Sequence, residues 1–243
     1  MPAPVFVGCH PGNFRKGRPA GIVPDAVVIH VIVGSLKTAD AWFGDARAQV
    51  SAHYGVGTNG VVHQYVEEFD TAFHAGTVER PQWTLGRDGL NPNAHTIGVE
   101  HEGFEGTEWT DAMYASTAEL VRAAAARWGF PVDASHVVPH RAIRATKTCP
   151  GRIADLARIV AEAGGAAAPA LAAPAAVTVR TNANVRRGAP SVAAPIDQVL
   201  PAGAVFTVAR VTHTGDPVGG NPFWYGDAAG NFLWSGVTDR PRP

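Results

Sequence analysis

One stretch of the sequence excludes a single continuous core. Residues 163–176 read Ala-Gly-Gly-Ala-Ala-Ala-Pro-Ala-Leu-Ala-Ala-Pro-Ala-Ala, within a chain of 243 residues. Side chains this small bury little apolar surface, and the two prolines keep the backbone partly extended, so the stretch predicts a tether between two domains. We place the first domain at residues 1–163, the linker at 164–176 and the second domain at 177–243.

Charge and hydropathy exclude several kinds of partner. Lys and Arg number 20 and Asp and Glu number 21, a formal net charge of -1; nucleic-acid binding needs a basic surface, so we expect no such partner. The longest apolar run covers residues 26–33, whereas a membrane span needs about 20 residues. The amino terminus has neither a basic start nor a long apolar stretch, so we expect no signal peptide and synthesis in the cytoplasm. We also expect a monomer.

The first domain alternates short apolar runs with helical patterns. The run at residues 26–33 is rich in β-branched side chains and predicts a central strand covered on both faces. Further strands are predicted at residues 52–57, 61–67 and 95–101, the first two joined by a turn at Asn59-Gly60. Helices are predicted at residues 38–49, 110–128 and 152–163. This order predicts an α/β fold, with a mixed central β-sheet flanked by helices.

The second domain consists of short apolar runs separated by turn residues. The runs lie at residues 177–180, 205–211, 223–225 and 231–233, with glycine, proline and asparagine between them. Closely spaced short strands of this kind predict a small all-β barrel.

A histidine interrupts the predicted central strand. His30 lies within Val27-Val-Ile-His-Val-Ile-Val33. A buried imidazole there needs hydrogen-bond partners, because an unpaired buried polar group costs about 1–3 kcal/mol. Two interpretations stay open: a core histidine with satisfied hydrogen bonds, or a metal ligand held on a rigid strand.

A second group of reactive side chains lies in a loop before the last helix of the first domain. His140 and Cys149 are nine positions apart, and Lys147 precedes the thiol by two residues. Cationic neighbours and a bound metal both lower the pKa of a thiol. Two histidines and one cysteine would leave the fourth position of a zinc site open to water. Cys149 could instead be a buried apolar residue, or a nucleophile activated by His140; Pro150 offers no backbone N–H for an oxyanion hole.

Two further segments carry candidate groups. Glu100 lies in Thr96-Ile-Gly-Val-Glu-His-Glu-Gly103, where a carboxylate on a short strand could accept a proton from a metal-bound water. The alternative is a carboxylate that faces solvent. His74, in Ala72-Phe-His-Ala-Gly76, is interpreted on its own as a turn histidine.

Five stretches in this order carry a family resemblance. They are Val28-Ile-His30, Ser51-Ala-His-Tyr54, Phe73-His-Ala-Gly76, Ile97-Gly-Val-Glu100 and His140 followed by Lys147-Thr-Cys-Pro150. Together they resemble the zinc-dependent N-acetylmuramoyl-L-alanine amidases of the type 2 family, which share the peptidoglycan-recognition-protein fold. The resemblance covers residues 26–151, about half of the chain.

The resemblance implies a role for each matching residue. His30, His140 and Cys149 correspond to the zinc ligands; many members carry aspartate at the third position. Lys147 corresponds to the lysine that stabilises the oxyanion. Glu100 corresponds to the glutamate that orients or deprotonates the attacking water.

The remaining matches imply supporting roles. Some members use a tyrosine immediately before the histidine that corresponds to His53, but this chain has Ala52 there. The resemblance therefore assigns the activation of the water to Glu100. Tyr54 is one position away and points to the opposite face of a strand. The resemblance implies structural or groove-lining positions for His53 and His74.

These roles imply a peptidoglycan hydrolase with Zn²⁺ as cofactor. It would cleave the amide between N-acetylmuramic acid and the L-alanine of the stem peptide by zinc-activated water. The alternative is a non-catalytic peptidoglycan-binding receptor of the same fold, but such receptors lack one or more zinc ligands. A lytic enzyme without a signal peptide resembles a phage endolysin, which reaches the cell wall through a separate pore or on lysis.

The second domain resembles a bacterial SH3-like cell-wall-binding module. Residues 179–186, Val-Arg-Thr-Asn-Ala-Asn-Val-Arg, are similar to its opening signature. Such modules commonly bind peptidoglycan stems or cross-bridges, and the aromatic rim would come from Phe223, Trp224, Tyr225 and Trp234. The alternative is that these aromatic side chains form the core of the barrel.

Overall fold

A computed structural model describes residues 4–164, 175–212, 215–219, 221 and 223–241. The chain divides into two compact units, Met1–Ala168 and Pro169–Pro243. Most of the predicted linker, residues 165–174, lies outside the described residues. Within the described parts, no helix is long and apolar enough to cross a membrane.

A mixed sheet forms the centre of the first unit. The described strands of this unit are β1 (Val5–Phe6), β2 (Phe14–Arg15), β3 (Ala26–Val31), β4 (Tyr54–Val56), β5 (Val62–Gln64), β6 (Thr71–Ala72), β7 (Thr96–His101) and β8 (Val137–Pro139); β2 and β6 pair with each other outside the central sheet. The helices are α1 (Leu36–Gly44), α2 (Asp111–Trp128), α3 (His140–Ile143) and α4 (Leu156–Gly164). Six strands form one sheet in the order β1-β5-β4-β7-β3-β8, in which β3 is parallel to both neighbours and β4 is antiparallel to β5. The predicted mixed α/β fold is confirmed.

The central strand of this sheet is β3. All six of its residues are buried, as expected of a strand that is paired on both edges and covered on both faces. The strand ends at Val31 rather than at the predicted Val33, because Val33 has a φ of 58° and is 60% exposed. The chain therefore turns outward directly after β3.

The helix ends follow their capping residues. Thr110 accepts a hydrogen bond from the Met113 N–H at the start of α2, and Gly129 ends the helix with a φ of 77°, as predicted. The other two helix predictions were wrong at their ends. A capping box between Ser35 and Thr38 starts α1 earlier, and the Asp155 carboxylate, which accepts the Arg158 N–H, starts α4 later.

A buried carboxylate joins α2 to the sheet. The hydroxyl of Tyr54 donates to Glu68 Oε1 over 2.9 Å, and the indole N–H of Trp128 donates to Oε2 over 2.5 Å. Arg127 forms an ion pair with the same carboxylate over 2.6 Å. The Tyr54 hydroxyl is therefore used in a structural hydrogen bond, and its side chain points away from that of the neighbouring His53.

The second unit is built from strands. They are β9 (Ala176–Thr178), β10 (Ala183–Arg187), β11 (Ile196–Leu200), β12 (Val205–Thr207), β13 (Arg210–Thr212), β14 (Trp224–Gly226) and β15 (Asn231–Trp234). Five form an antiparallel sheet in the order β11-β10-β15-β14-β13, and β12 pairs with β9. β10 and β11 were not predicted, and the run predicted at residues 205–211 covers both β12 and the start of β13. Gly164 and Ala176, which were placed in the linker, lie in α4 and β9.

Candidate metal centre

Three side chains that are distant in the sequence converge at one end of β3. His30 lies on β3, His140 begins α3, and Cys149 lies in the loop that follows. One nitrogen or sulfur atom from each lies within 4.8 Å of the others. The imidazole centroids of His30 and His140 are 4.6 Å apart, and His30 Nδ1 lies 3.9 Å from Cys149 Sγ. The structure therefore brings the three predicted ligands together.

Strand pairing and backbone hydrogen bonds place this group. Because β8 is parallel to β3 and adjacent to it, His140 follows β8 at the same edge of the sheet as His30. The Val31 N–H donates to Cys149 Sγ over 3.3 Å, and the Arg141 N–H donates to the Cys149 carbonyl over 3.1 Å. The thiol is thus tied to both elements that carry the imidazoles.

The loop that carries Cys149 depends on a glycine. Gly151 has a φ of +96°, and a methyl group on it would lie 2.0 Å from the Glu105 carbonyl oxygen. We expect Gly151→Ala to displace the loop and to weaken zinc binding by about tenfold or more, as loss of ligand support does in other metal sites. Chelator competition would measure this. Gly89→Ala is the matched control, because Gly89 has a φ of +75° with open space around it; equal zinc affinity in both variants would contradict the expectation.

Each imidazole has one nitrogen bonded to the protein. His140 Nε2 lies 3.0 Å from the Ala75 carbonyl oxygen, so it must carry hydrogen and leave the Nδ1 lone pair free. His30 Nε2 lies 3.1 Å from His74 Nδ1, which leaves Nδ1 facing the thiol. Two imidazoles with oriented, available nitrogens and one thiol are a donor set that zinc prefers. The residues present therefore fit a zinc ion.

Burial controls the protonation of these groups. It holds the pKa of His30 well below its usual value, helped by the charge that His140 would carry, so the imidazole is neutral as a ligand must be. Burial also raises the pKa of the Cys149 thiol to about 12, followed by the effect of Glu100. Lys147 lowers this pKa, as expected of a cationic neighbour, but its effect is smaller than that of burial. A thiolate–imidazolium nucleophile is disfavoured accordingly.

A carboxylate without a partner lies beside the three ligands. Glu100 pairs with His30 in the register of β7 and β3. Its Oε2 is buried and has no hydrogen-bond partner among the described residues, and burial raises the pKa of Glu100 to about 8. Such a carboxyl group can take up or release a proton near neutral pH. Glu102, by contrast, accepts the Thr58 N–H over 2.9 Å.

A cleft of about 240 Å³ opens onto this group. Its lining includes the three predicted ligands, Glu100 and Lys147, and also Phe43, Val50, Phe73, His74 and Glu105. Lys147 is exposed, so its ammonium group can meet a bound molecule. All five predicted site residues therefore border one space.

His53 belongs to the interior of the sheet rather than to the cleft. Its Nδ1 accepts the Gly98 N–H over 3.0 Å, and its Nε2 lies 3.0 Å from the Arg18 guanidinium and 3.3 Å from the Asp70 carbonyl. Both ring nitrogens are occupied, so a structural position fits this histidine. His74 differs, because it contacts His30 directly. This contact was not predicted; the Phe73-His-Ala-Gly76 stretch indicated only a turn or groove-lining position for His74.

The chain is similar to known proteins in both sequence and fold. The chain is 33% identical over 142 residues to N-acetylmuramoyl-L-alanine amidase A of Achromobacter lyticus, covering 54% of this chain and 72% of that protein. It is 34% identical over 116 residues to the 1,6-anhydro-N-acetylmuramyl-L-alanine amidase AmpD of Citrobacter freundii, covering 47% of this chain and 58% of that protein.

One solved structure and one family model indicate the same family as these relatives. The crystal structure of a selenomethionine AmpD derivative superposes with a TM-score of 0.55 at 29% identity, over 67% of this chain and 95% of that one. The Amidase_2 family model, described as N-acetylmuramoyl-L-alanine amidase, matches residues 19–152. This match spans more than half of the sequence and contains every ligand of the candidate centre, so the chain belongs to the N-acetylmuramoyl-L-alanine amidase family.

Proposed function

We propose that this chain is a peptidoglycan amidase that hydrolyses the bond between the lactyl group of N-acetylmuramic acid and L-alanine. In this proposal His30, His140 and Cys149 hold a zinc ion. One observation carries it: in a chain of this family, a complete His-His-Cys donor set shares its cleft with a carboxylate oxygen that has no hydrogen-bond partner in the described part of the chain.

Glu100 and Lys147 have separate roles in the proposed reaction. When bound, zinc supplies Lewis acidity, which polarises a carbonyl group and acidifies water. Glu100 accepts the proton of the attacking water at its unpartnered oxygen and then donates it to the departing amine of L-alanine. The Lys147 ammonium group stabilises the negative charge that develops on the carbonyl oxygen.

Lys147→Ala separates charge stabilisation from metal binding. We expect turnover to fall by about 10²–10³-fold, the usual loss when one oxyanion donor is removed, while the zinc content stays at the wild-type level. Turnover on a muramyl peptide and metal analysis of the same sample would measure both. Lys37→Ala, an exposed lysine on α1, is the control. Loss of zinc in parallel with turnover would show that Lys147 supports the metal site instead.

A direct test of the proposed function uses purified cell walls. Release of new amino termini from L-alanine, together with one zinc per chain, is the expected result. A soluble anhydromuramyl peptide, assayed in parallel, distinguishes a preference for polymer from one for fragments. Stoichiometric binding without release of amino termini would favour a non-catalytic receptor and overturn the proposal.

We further propose that the second unit is an SH3-like module that binds the wall, in an arrangement of the endolysin type. Its antiparallel strands around a core that includes Val185 and Leu233 support this. The predicted aromatic rim needs correction: Phe223, Trp224 and Tyr225 are 2%, 1% and 0% exposed, so they belong to the core, and of the four only Trp234 reaches the surface in part.

Sedimentation with purified cell walls should be weaker for a chain that ends at Gly164 than for the full chain.

A further inference from the structure

A chain of hydrogen bonds runs from the metal centre to a fixed backbone carbonyl. The hydroxyl of Thr96 lies 2.8 Å from the Pro92 carbonyl oxygen, and it must donate there because a carbonyl carries no hydrogen. The same hydroxyl oxygen lies 3.2 Å from His74 Nε2. Since the hydroxyl hydrogen is already committed, His74 Nε2 is the donor in this second contact.

The direction of the His74–Thr96 hydrogen bond determines the direction of the bond between His74 and His30. A neutral imidazole that carries hydrogen on Nε2 has only a lone pair on Nδ1. His74 Nδ1 therefore accepts a hydrogen bond, and the group 3.1 Å away is His30 Nε2. His30 is thereby protonated at Nε2, and its Nδ1 lone pair faces Cys149 Sγ, 3.9 Å away.

The surroundings keep this chain in one arrangement. His30, His74 and Thr96 are all buried, which limits the competition of water for their hydrogen bonds. The N–H groups of His74 and Ala75 both donate to Asn93 Oδ1, over 3.0 and 2.7 Å, and this anchors the segment. The Ala75 carbonyl accepts from His140 Nε2, so one anchored segment meets both imidazoles.

A glycine provides the space that the His74 ring needs. A methyl group on Gly98 would lie 2.4 Å from His74 Cγ, closer than two carbon atoms can approach. The φ of Gly98 is not in the left-handed region, so the requirement is for space and not for backbone freedom. The Ile97-Gly98-Val99 stretch and the Phe73-His74 stretch therefore fit together at this point.

We propose that His74 is a positioning residue, which holds His30 in the tautomer with hydrogen on Nε2 and so presents its Nδ1 to the metal. The inference rests on the metal site of the proposed function, but not on the reaction. Hydrogen bonds of this kind to ligating imidazoles contribute about 10–100-fold to metal affinity in other sites.

Three variants test this role. His74→Leu removes the acceptor. His74→Asn keeps an acceptor, since its Oδ1 stands close to the position of the imidazole Nδ1. Thr96→Val keeps the volume of the side chain and removes only the hydroxyl that orients His74. Circular dichroism would establish that each variant is folded.

Two measurements test the positioning role of His74 without an amidase assay. Long-range ¹H–¹⁵N correlation spectra of the metal-free protein identify the protonated nitrogen of His30, and chelator competition gives the zinc Kd. We expect wild-type His30 to be protonated at Nε2. We expect His74→Leu to mix the two tautomers and to raise the Kd by about 10–100-fold, His74→Asn to recover most of the affinity, and Thr96→Val to raise the Kd by about tenfold.

The outcomes separate this inference from the proposed function. An unchanged Kd in His74→Leu and Thr96→Val, equal losses in His74→Leu and His74→Asn, or hydrogen on Nδ1 of wild-type His30 would each overturn the positioning role. If His74→Leu does not fold, Thr96→Val decides. A wild-type protein that binds no zinc would instead contradict the proposed function, while the spectra of the metal-free protein would still report the tautomer.

Discussion

Replacing Cys149 by alanine is expected to abolish stoichiometric zinc binding and to lower amide hydrolysis by about 10⁴-fold or more. Enzymes of this kind accelerate reactions by about 10⁶-fold or more, and this substitution removes one of three ligands of the candidate centre. The remaining pair of imidazoles offers neither the negative charge nor the softness of a thiolate. Metal analysis and turnover on the same preparation measure the two losses together.

Two further variants sharpen this test. Cys149→Asp supplies a carboxylate, which zinc also accepts, so we expect it to retain metal and part of the activity. Cys9→Ala is the control, because Cys9 packs beside a cluster that includes Phe43 and Tyr65 and does not line the cleft. Full zinc content in Cys149→Ala would show that the thiol is not a ligand.

Acidification from pH 7 to pH 5 is expected to lower the free energy of unfolding of the metal-free protein through its buried imidazoles, by about 2 kcal/mol for His101 alone. Burial lowers the pKa of His53 and of His74 well below 6.5, and it lowers the pKa of His101 to about 3. Below pH 6.5 the unfolded chain binds a proton at each of these three positions and the folded chain does not. Stability therefore falls with falling pH, by about 1.4 kcal/mol per histidine per pH unit.

The loss at His101 alone is a measurable part of the stability of a domain, which is about 5–15 kcal/mol in total. His53 and His74 add to the loss, whereas Glu100, with a pKa of about 8, opposes it. Urea titrations at pH 7, 6 and 5, followed by circular dichroism at 222 nm, report on α1, α2 and α4, which all lie in the first unit. His101→Gln should reduce the dependence on pH by about one proton. A stability that stays constant between pH 7 and pH 5 would contradict neutral burial of these imidazoles.

Local patterns predicted the parts of the fold that local chemistry determines. The buried strand around His30 follows from its β-branched run, and α2 lies within the predicted range 110–128, bounded by the capping residues Thr110 and Gly129. Strands of two or three residues, such as β6 and β8, have no periodicity to detect. The length of β8 nevertheless decides where His140 lies, and that placement comes from pairing with β3.

The site shows the same division between local and distant causes. The residue types and their order pointed to His30, His140 and Cys149. The pKa of Cys149 could not be predicted, because Lys147 is near in sequence whereas the burial that raises it comes from the folded chain. The contact of His74 with His30 joins residues that are 44 positions apart, so no spacing rule indicates it.

The close approach of Gly98 to the His74 ring couples the side chains that positions 74 and 98 can carry. Bulk can be added at residue 98 only where the ring at residue 74 has first been lost, so a mutational path that changes position 98 first meets an atomic overlap. A library that randomises position 98 alone would record its glycine as immutable. Only simultaneous randomisation would show that the constraint belongs to the pair.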